Sequence, residues 1–281
     1  MSAGATVGID IGGTWARVGR RGRDGALIVE RAPVPEQGTD LAALLVASVS
    51  RVAPEGVARV GVSAPGPLDF AAGIVNKLNK PGWRGYPLIP ELAQRLGAPV
   101  EMDNDANCAA LGEWRAGAGQ DARTLVYYTI STGVGTGVVI EGRIHRGAHD
   151  TEGGHQIVQP GGAPCPCGSR GCLEAVASGT AIRARYGRAA EEIDDPAVWE
   201  EVAGFVALAI NNTAMLLCPE VVVIGGGVST QGERLLAPLR RQCAELIRMV
   251  PVPAIRLAGL GQDSGLVGAL ALAETITSAP G

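Results

Sequence analysis

Between Thr129 and Glu174 the sequence gathers three kinds of chemistry into one stretch, and this stretch constrains the fold more than any other. It reads TISTGVGTGVVIEG, then GAHDTEGGH, then CPCGSRGCLE. The first component is a predicted glycine turn, Thr132-Gly133-Val134-Gly135-Thr136-Gly137, between two apolar runs of strand character. Glycines in such a turn let backbone N–H groups approach an anion closely, and threonine hydroxyls add hydrogen bonds. The second is His155 with Cys165, Cys167 and Cys172, a soft-ligand set at metal spacing. The third is a pair of carboxylates, Glu152 and Glu174, on either side of that set.

Four nitrogen and sulfur ligands suit tetrahedral Zn²⁺, and a closed four-ligand site is structural rather than catalytic. Pro164, Gly168 and Gly171 supply the bends that let three thiolates converge. A disulfide is the competing reading. Cys165 and Cys167 are too close in sequence for easy pairing, and one of the three cysteines would be left over.

The run C-x-C-G-x-x-G-C-x-E, the upstream E-x-x-H and the glycine turn together resemble the ROK family (repressors, open reading frames and kinases), as does the spacing of Gly133, Gly135, Gly137, Gly147 and Gly154. Within it, bacterial glucokinases are the nearest match in kind. The resemblance implies an α/β chain of two actin-like (ribonuclease H-like) domains with the active site in the cleft. Residues 1–111 with 265–281 are expected to form the smaller domain, and 112–264 the larger one with the zinc loop and dimerisation helices. The implied activity is ATP-dependent phosphorylation of a hexose at its 6-hydroxyl, with glucose the first choice. Mg²⁺ accompanies ATP, and the expected assembly is a homodimer or homotetramer. N-acetylglucosamine, N-acetylmannosamine, mannose and fructose kinases of the family share most of these residues.

Composition sets the outer limits. The chain has 281 residues, 46% hydrophobic and 19% charged, which is globular and long enough for two modest domains. No apolar run reaches membrane-spanning length, and no secretory leader is read before Val7, so neither membrane nor export is expected. A formal charge of −4 leaves no basic footprint for nucleic acid. Of six cysteines, three belong to the metal set, and Cys108, Cys218 and Cys243 sit singly in helix-like contexts, a usage that fits a reducing cytoplasm.

Read in order, the chain starts with a β-branched strand, Thr6 to Asp10, a turn at Gly12-Gly13-Thr14, and a second strand from Trp15 to Gly19. Asp10 is placed to hold Mg²⁺, usually through water, and the turn's N–H groups and Thr14 to face a phosphate. A turn of this kind alone is also an ordinary tight hairpin. Its partner at 132–137 favours the phosphate reading, and the pair resembles the two phosphate loops of actin-like ATPases. No Walker-type G-x-x-x-x-G-K-[ST] is present. Family members often carry lysine where this chain has Trp15.

Further strands are expected at Ala26–Val34, Val57–Val62, Pro99–Met102, Val221–Ile224 and Ala254–Ala258. Helices are expected at Leu88–Leu96, Cys108–Ala116, Thr180–Ala190, Pro196–Leu217 and Glu233–Met249, with a closing helix at Gly265–Ala273. The apolar face of Pro196–Leu217 reads as core or subunit interface. Gly225-Gly226-Gly227 follows a fully apolar strand. That geometry suits a nucleotide site, with tight packing alone as the competing reading. The hairpin-plus-glycine pattern of residues 7–19 recurs at 125–140, as a duplicated domain would leave it.

The resemblance also implies roles. In the run Asp103-Asn104-Asp105-Ala106-Asn107, Asp105 is the general base and Asn104 a sugar partner. Gly66 and Asn79 lie in the sugar-contacting loops. Glu152, His155 and Glu174 hold sugar hydroxyls, His155 through the ring nitrogen that does not bind zinc. Asp10, Gly12, Gly13, Thr14, Thr132, Gly133, Gly135 and Gly225–Gly227 serve the nucleotide. A sugar-responsive repressor of the family carries an N-terminal helix-turn-helix domain, for which a first strand at Thr6 leaves no room.

Overall fold

The computed structural model describes residues 4–76, 80 and 82–276. The chain divides into two compact units, Met1–Arg115 with Asp263–Gly281, and Ala116–Gln262.

The first unit begins with three strands, β1 (Ala5–Ile11), β2 (Trp15–Arg21) and β3 (Leu27–Pro33), followed by α1 (Gly38–Val52) and β4 (Val57–Ala64). A short hairpin of β5 (Leu68–Asp69) and β6 (Ile74–Val75), then α2 (Leu88–Leu96), β7 (Val100–Asn104) and α3 (Asp105–Ala116), complete this run. The sheet order is β3-β2-β1-β4-β7, with the first three strands antiparallel and β4 and β7 parallel to β1.

The two faces of this sheet are built from different residues. Val7, Ile9, Val60 and Val62 are fully buried and pack with Leu41, Leu45 and Val49 of α1 and Leu88 and Leu92 of α2. The opposite face carries Gly8 and Gly61, paired in register. A Cβ at Gly61 would lie 1.9 Å from the Ala269 carbonyl, and one at Gly8 would lie 2.8 Å from Leu270. Both neighbours belong to α8 (Ser264–Thr275), the last helix of the chain, which packs on β1 and β4. The same helix meets α3 at Gly268, where a Cβ would sit 1.7 Å from the Cys108 carbonyl. Glycine therefore sets the helix-to-sheet and helix-to-helix distances here, because backbone occupies the space a side chain needs.

The second unit repeats the strand plan. It contains β8 (Thr124–Ile130), β9 (Val134–Ile140), β10 (Arg143–Ile144), α4 (Leu173–Ala177), α5 (Gly179–Tyr186), α6 (Pro196–Leu217), β11 (Val221–Gly225), α7 (Glu233–Leu246) and β12 (Ala254–Leu257). The order is β10-β9-β8-β11-β12, with β8–β10 antiparallel and β11 and β12 parallel to β8. This is the duplication expected from the recurring hairpin. On the face of α6 read as core or interface, Val202, Val206, Ala209 and Ile210 are buried in a core with Leu235 and Leu239 of α7, and Val198 and Phe205 are partly buried against it. Asp195 caps α6 by accepting the Ala197 N–H at 2.9 Å, with Pro196 in the first turn.

Several boundaries differ from expectation. The helix expected from Cys108 starts at Asp105. The segment Thr180–Ala190 is not one helix. Gly187, left-handed at φ 72°, ends α5 at Tyr186, and Ser178 starts it by accepting the Ala181 N–H at 3.1 Å. The helix expected to reach Met249 stops at Leu246, because Ile247 turns extended ahead of Pro251.

Candidate active site

In the first unit the chemistry gathers at strand ends. Asp10, near the end of β1, stands opposite Arg17 on β2 and Ser63 on β4. Its Oδ1 accepts the Ser63 hydroxyl at 2.8 Å. A Cβ at Gly265 would lie 2.6 Å from the same oxygen, so the carboxylate rests against the backbone that opens α8. Burial raises the Asp10 carboxyl above its ordinary range; Ser63 and Arg17 pull it down, while Asp105 and Asp263 push it up. Arg17 is ion-paired with Asp263. The turn after Asp10 is a tight hairpin, closed by the Gly12 N–H donating to the Trp15 carbonyl at 2.9 Å. Gly12, Gly13 and Thr14 are exposed, and a Cβ on Gly13 would meet nothing within 4 Å. Trp15 is 53% exposed.

The β7–α3 corner shows why so many polar residues stand together. Asp103 is fully buried and accepts the Asn104 N–H at 2.8 Å and the Asn107 side-chain amide at 2.9 Å. Asn104 Oδ1 accepts the Asn107 N–H at 2.7 Å, the bond of a helix cap. Asp103, Asn104 and Asn107 fix the corner, and Asp105 is presented exposed in the first helical turn, with its Oδ1 2.8 Å from the Ala106 N–H. Gly66 lies in the open loop after β4, with nothing within 4 Å of a built Cβ. Asn79 falls outside the described residues. Of the described residues that follow, Trp83 is buried, its indole N–H donating to the Pro35 carbonyl at 3.3 Å, and Lys80 pairs with Glu36 at 2.5 Å.

In the second unit the turn is shorter than expected. Only Ser131–Gly133 turns, and Val134 to Gly137 belong to β9, where Gly135 and Gly137 pair with Thr129 and Tyr127. Gly135 is therefore a strand residue. Thr136 is buried beneath the next segment: its Oγ1 accepts the Gly153 N–H at 2.9 Å and donates to the Thr151 carbonyl at 3.1 Å. Gly154 lies flat over β9, where a Cβ would be 2.0 Å from the Val134 carbonyl.

Glu174, in the first turn of α4, accepts the Val134 N–H at 2.9 Å through Oε2. A Cβ at Gly133 would lie 2.5 Å from that oxygen, so a side chain there would displace the Glu174 carboxylate from the turn. The glycines after β11 have separate reasons. Gly225 lies under the Tyr127 hydroxyl, and Gly226 has φ 84° with the Ile130 carbonyl 2.4 Å from a built Cβ. Gly227 is spacious and lines a cavity of about 290 Å³ with Thr132, Ser131, Thr180, Arg183 and Glu191. Sequence reasoning brought Thr132 and Gly227 to this cavity and missed the others. Their only local signal is Ser178-Gly179-Thr180, a helix start folded back onto the turn by Gly179 N–H to Ser131 carbonyl at 2.7 Å and Thr180 hydroxyl to Thr132 carbonyl at 2.8 Å.

His155 closes a 3₁₀ turn, Gly153–His155, and its ring meets the three cysteines. The four ligand atoms lie within 4.8 Å of one another. His155 Nδ1 is 3.5 Å from Cys165 Sγ, and Cys167 Sγ is 3.6 Å from Cys172 Sγ. Metal–sulfur bonds of about 2.3 Å in a tetrahedron set ligand atoms about 3.7 Å apart, so the group fits a four-coordinate ion. Nε2 points the other way, 3.9 Å from Glu152 Oε2. The loop's bends are the expected ones. Gly168 (φ 93°) and Gly171 (φ 74°) are left-handed, and a Cβ on Gly171 would be 1.7 Å from the Gln159 carbonyl. The Ser169 backbone N–H, above all, holds the exposed Cys167 thiol down to about 7, whereas burial drives Cys172 up to about 12.

Two repeated α/β sheets, each opened by a tight hairpin turn, and a Cys₃His loop define a class, and the chain belongs to it: the ROK family pattern matches residues 6–276. The fold is the actin-like α/β fold of two domains. The chain is 35% identical to a glucokinase of Thermotoga maritima over 95% of this chain and 96% of that protein. It is 36% identical to a fructokinase of Zymomonas mobilis over 88% of each. Among solved structures, the ROK hexokinase from Thermus thermophilus superposes with a TM-score of 0.85 at 34% identity, over 96% of this chain and 97% of that one. A ROK family glucokinase from Streptomyces griseus in complex with glucose and AMPPNP gives a TM-score of 0.79 at 32% identity, over 97% of this chain and all of that one.

Proposed function

We infer that this protein is an ATP-dependent sugar kinase that phosphorylates a hexose at its 6-hydroxyl, with glucose as the preferred substrate. The observation that carries the reading is the β7–α3 corner. Asp103, Asn104 and Asn107 fix the backbone, and the Asp105 side chain stands exposed in the first turn of the helix, with its Oδ1 accepting the Ala106 N–H. A general base needs that arrangement: a rigid mount and an accessible oxygen. In this reading Asp105 takes the proton of the 6-hydroxyl as that oxygen attacks the γ-phosphoryl. Positioning and charge neutralisation supply the rest, as phosphoryl transfer requires.

Asn104 and Gly66 in the described part of the first unit, with Asn79, are proposed sugar ligands. So are Glu152, His155 and Glu174 in the second. The His155 ring supports this: with Nδ1 turned to the thiolates, its Nε2–H is the donor that remains for a sugar oxygen. The cavity beside Thr132, Thr180 and Gly227 is the proposed place of the adenosine. Gly12, Gly13, Thr14 and Gly133 supply the phosphate turns. Asp10 would hold Mg²⁺, which neutralises phosphate charge when bound. His155, Cys165, Cys167 and Cys172 are proposed to hold a structural Zn²⁺ that fixes the shape of the loop.

An ADP-release assay over a panel of hexoses tests the reading. Glucose is expected to give the highest kcat/KM. Fructose or an N-acetylhexosamine in first place would move the substrate within the family. ADP release with none of the sugars would overturn the kinase reading.

A further inference from the structure

The 3₁₀ turn that carries Glu152 and His155 is held at its start by Thr136. Its other end is held by Gln156, and the bonds there run in one direction. Gln156 Nε2 donates one N–H to the Gly153 carbonyl at 3.2 Å and shares the other between the Tyr128 hydroxyl at 3.2 Å and the Thr213 hydroxyl at 3.3 Å. Tyr128 and Thr213 lie 2.6 Å apart, oxygen to oxygen. The Ala209 carbonyl of α6 lies 2.9 Å from the Thr213 hydroxyl and 3.4 Å from the Tyr128 hydroxyl, so one of the two donates to it and the other donates to its neighbour. Both hydroxyl protons are then committed, and both oxygens face Gln156 as acceptors. Only a donor satisfies them, and an amide nitrogen is one.

The backbone of Gln156 ties in the other half of the loop. Its carbonyl accepts the Leu173 N–H at 2.9 Å, between Cys172 and Glu174. One residue thus joins the turn bearing Glu152 and His155, the segment bearing Glu174, strand β8 through Tyr128 and helix α6 through Thr213. Tyr128 is fully buried, so this anchor does not yield to solvent.

We propose that Gln156 is a positioning residue for the sugar site: its side-chain amide, through Tyr128 and Thr213, fixes where Glu152, His155 and Glu174 stand. The inference rests on those three residues being sugar ligands, and its test has one arm that does not. Gln156→Met keeps the length and removes the donors. Gln156→Glu places a carboxylate against oxygens that require a donor. The expected order of KM for glucose is wild type, then Met at roughly fivefold to twentyfold higher, then Glu higher still. KM for ATP stays within about twofold, because the Gln156 amide bonds to Gly153, Tyr128 and Thr213, and the cavity at Gly227 is lined by other residues. Thr213→Val, which removes the far end of the chain of bonds, gives a smaller rise of the same kind.

The second arm needs no substrate. Amide hydrogen exchange of the His155 and Leu173 N–H groups is expected to quicken roughly tenfold in Gln156→Met, with β11 unchanged. Unaltered exchange at both amides overturns the proposal whatever the enzyme phosphorylates. Quickened exchange with KM for glucose and ATP rising by the same factor overturns the positioning role and leaves a general stabilising one. Quickened exchange with an unchanged KM for glucose shows that the turn is not the sugar ligand, which refutes the underlying assignment and the proposal together. Should Gln156→Glu fail to fold, the Met and Thr213→Val variants decide the matter.

Discussion

The two units use one strand plan and differ in what fills the space between the antiparallel strands and the parallel ones. In the first unit α1 alone lies between β3 and β4. In the second, the Cys₃His loop, α4, α5 and α6 all lie between β10 and β11. The first unit places its polar residues at strand ends, against a sheet buried on both faces. The second places them on a loop that has little core of its own: within residues 152–174, Val158 and Leu173 are the large aliphatic side chains that are buried, and Ile157 is 53% exposed. The contrast teaches that one architecture stabilises functional groups in two ways. Packing does it where a sheet is near, and the proposed zinc would do it where apolar surface is too small to offset the cost of ordering the chain.

If that contrast is right, the largest effect belongs to a residue on the rigid frame. Asp105→Asn is expected to lower kcat by roughly a hundredfold or more while the thermal melt and sugar binding hold, the scale of losing a general base. A variant retaining over a tenth of wild-type kcat would remove Asp105 from that role. The effect would then have to be sought at Asp10, the carboxylate whose charge Asp105 opposes.

Metal removal sharpens the comparison from the other side. Freshly purified protein is expected to hold about one zinc per chain, and Cys167→Ala to lose it, with residues 152–174 becoming sensitive to protease. Calorimetry on metal-stripped protein should show the Kd for sugar weakened roughly tenfold to a hundredfold, and that for ATP far less, since one well-placed hydrogen bond to a charged group accounts for about 1.5–3 kcal/mol. Equal losses for both ligands would mean that the loop supports the whole second unit.

Gly268→Ala probes the packed frame alone. A methyl group placed 1.7 Å from the Cys108 carbonyl must push α3 and α8 apart, at a cost of roughly 1–3 kcal/mol. Denaturant unfolding should register this loss, and zinc content should not change. A neutral result would show that the helix pair tolerates separation, and the distinction between a packed and a metal-held unit would weaken.

The smallest effect is expected at one surface ion pair of a helical arginine in each unit, joined to a strand in the first and within the helix in the second. Arg51 pairs with Glu30 in the first and Arg240 with Glu233 in the second. Replacing either arginine by alanine should move Tm by less than about 2 °C, as solvent and salt screen such pairs. A larger shift in one unit would place stabilisation at a surface where neither packing nor metal accounts for it.

Much of this molecule was legible before its fold was seen. The residues that announce themselves have chemistry tied to local spacing. The Cys₃His set and the bends at Gly168 and Gly171 are of this kind, as are the strand-turn-strand at Asp10 and Gly12–Thr14 and the helix limits of Leu88–Leu96 and Pro196–Leu217. Ligand convergence and hairpin closure involve neighbours within a few residues, so their constraints are written in adjacent letters. Even the duplication was visible, because each sheet opens with the same hairpin.

Other features were decided only by contacts between distant parts of the chain. Gly8 and Gly61 gain their meaning from α8, more than 150 residues further on, and Gly268 of α8 from α3, because in each case a distant backbone occupies the space of the missing side chain. Gly135 reads as part of a turn until pairing with Thr129 draws it into β9. Thr180 and Arg183 carry no mark of a cavity until Gly179 folds back onto Ser131. Gln156 is an ordinary polar residue until Tyr128 and Thr213 present it with two acceptors. By itself the sequence determined which groups are available and which turns they sit on, because those depend on short-range sterics and ligand chemistry. Tertiary structure decided which of them face one another, because that depends on which backbones come within a methyl group's width, and no local pattern encodes that distance.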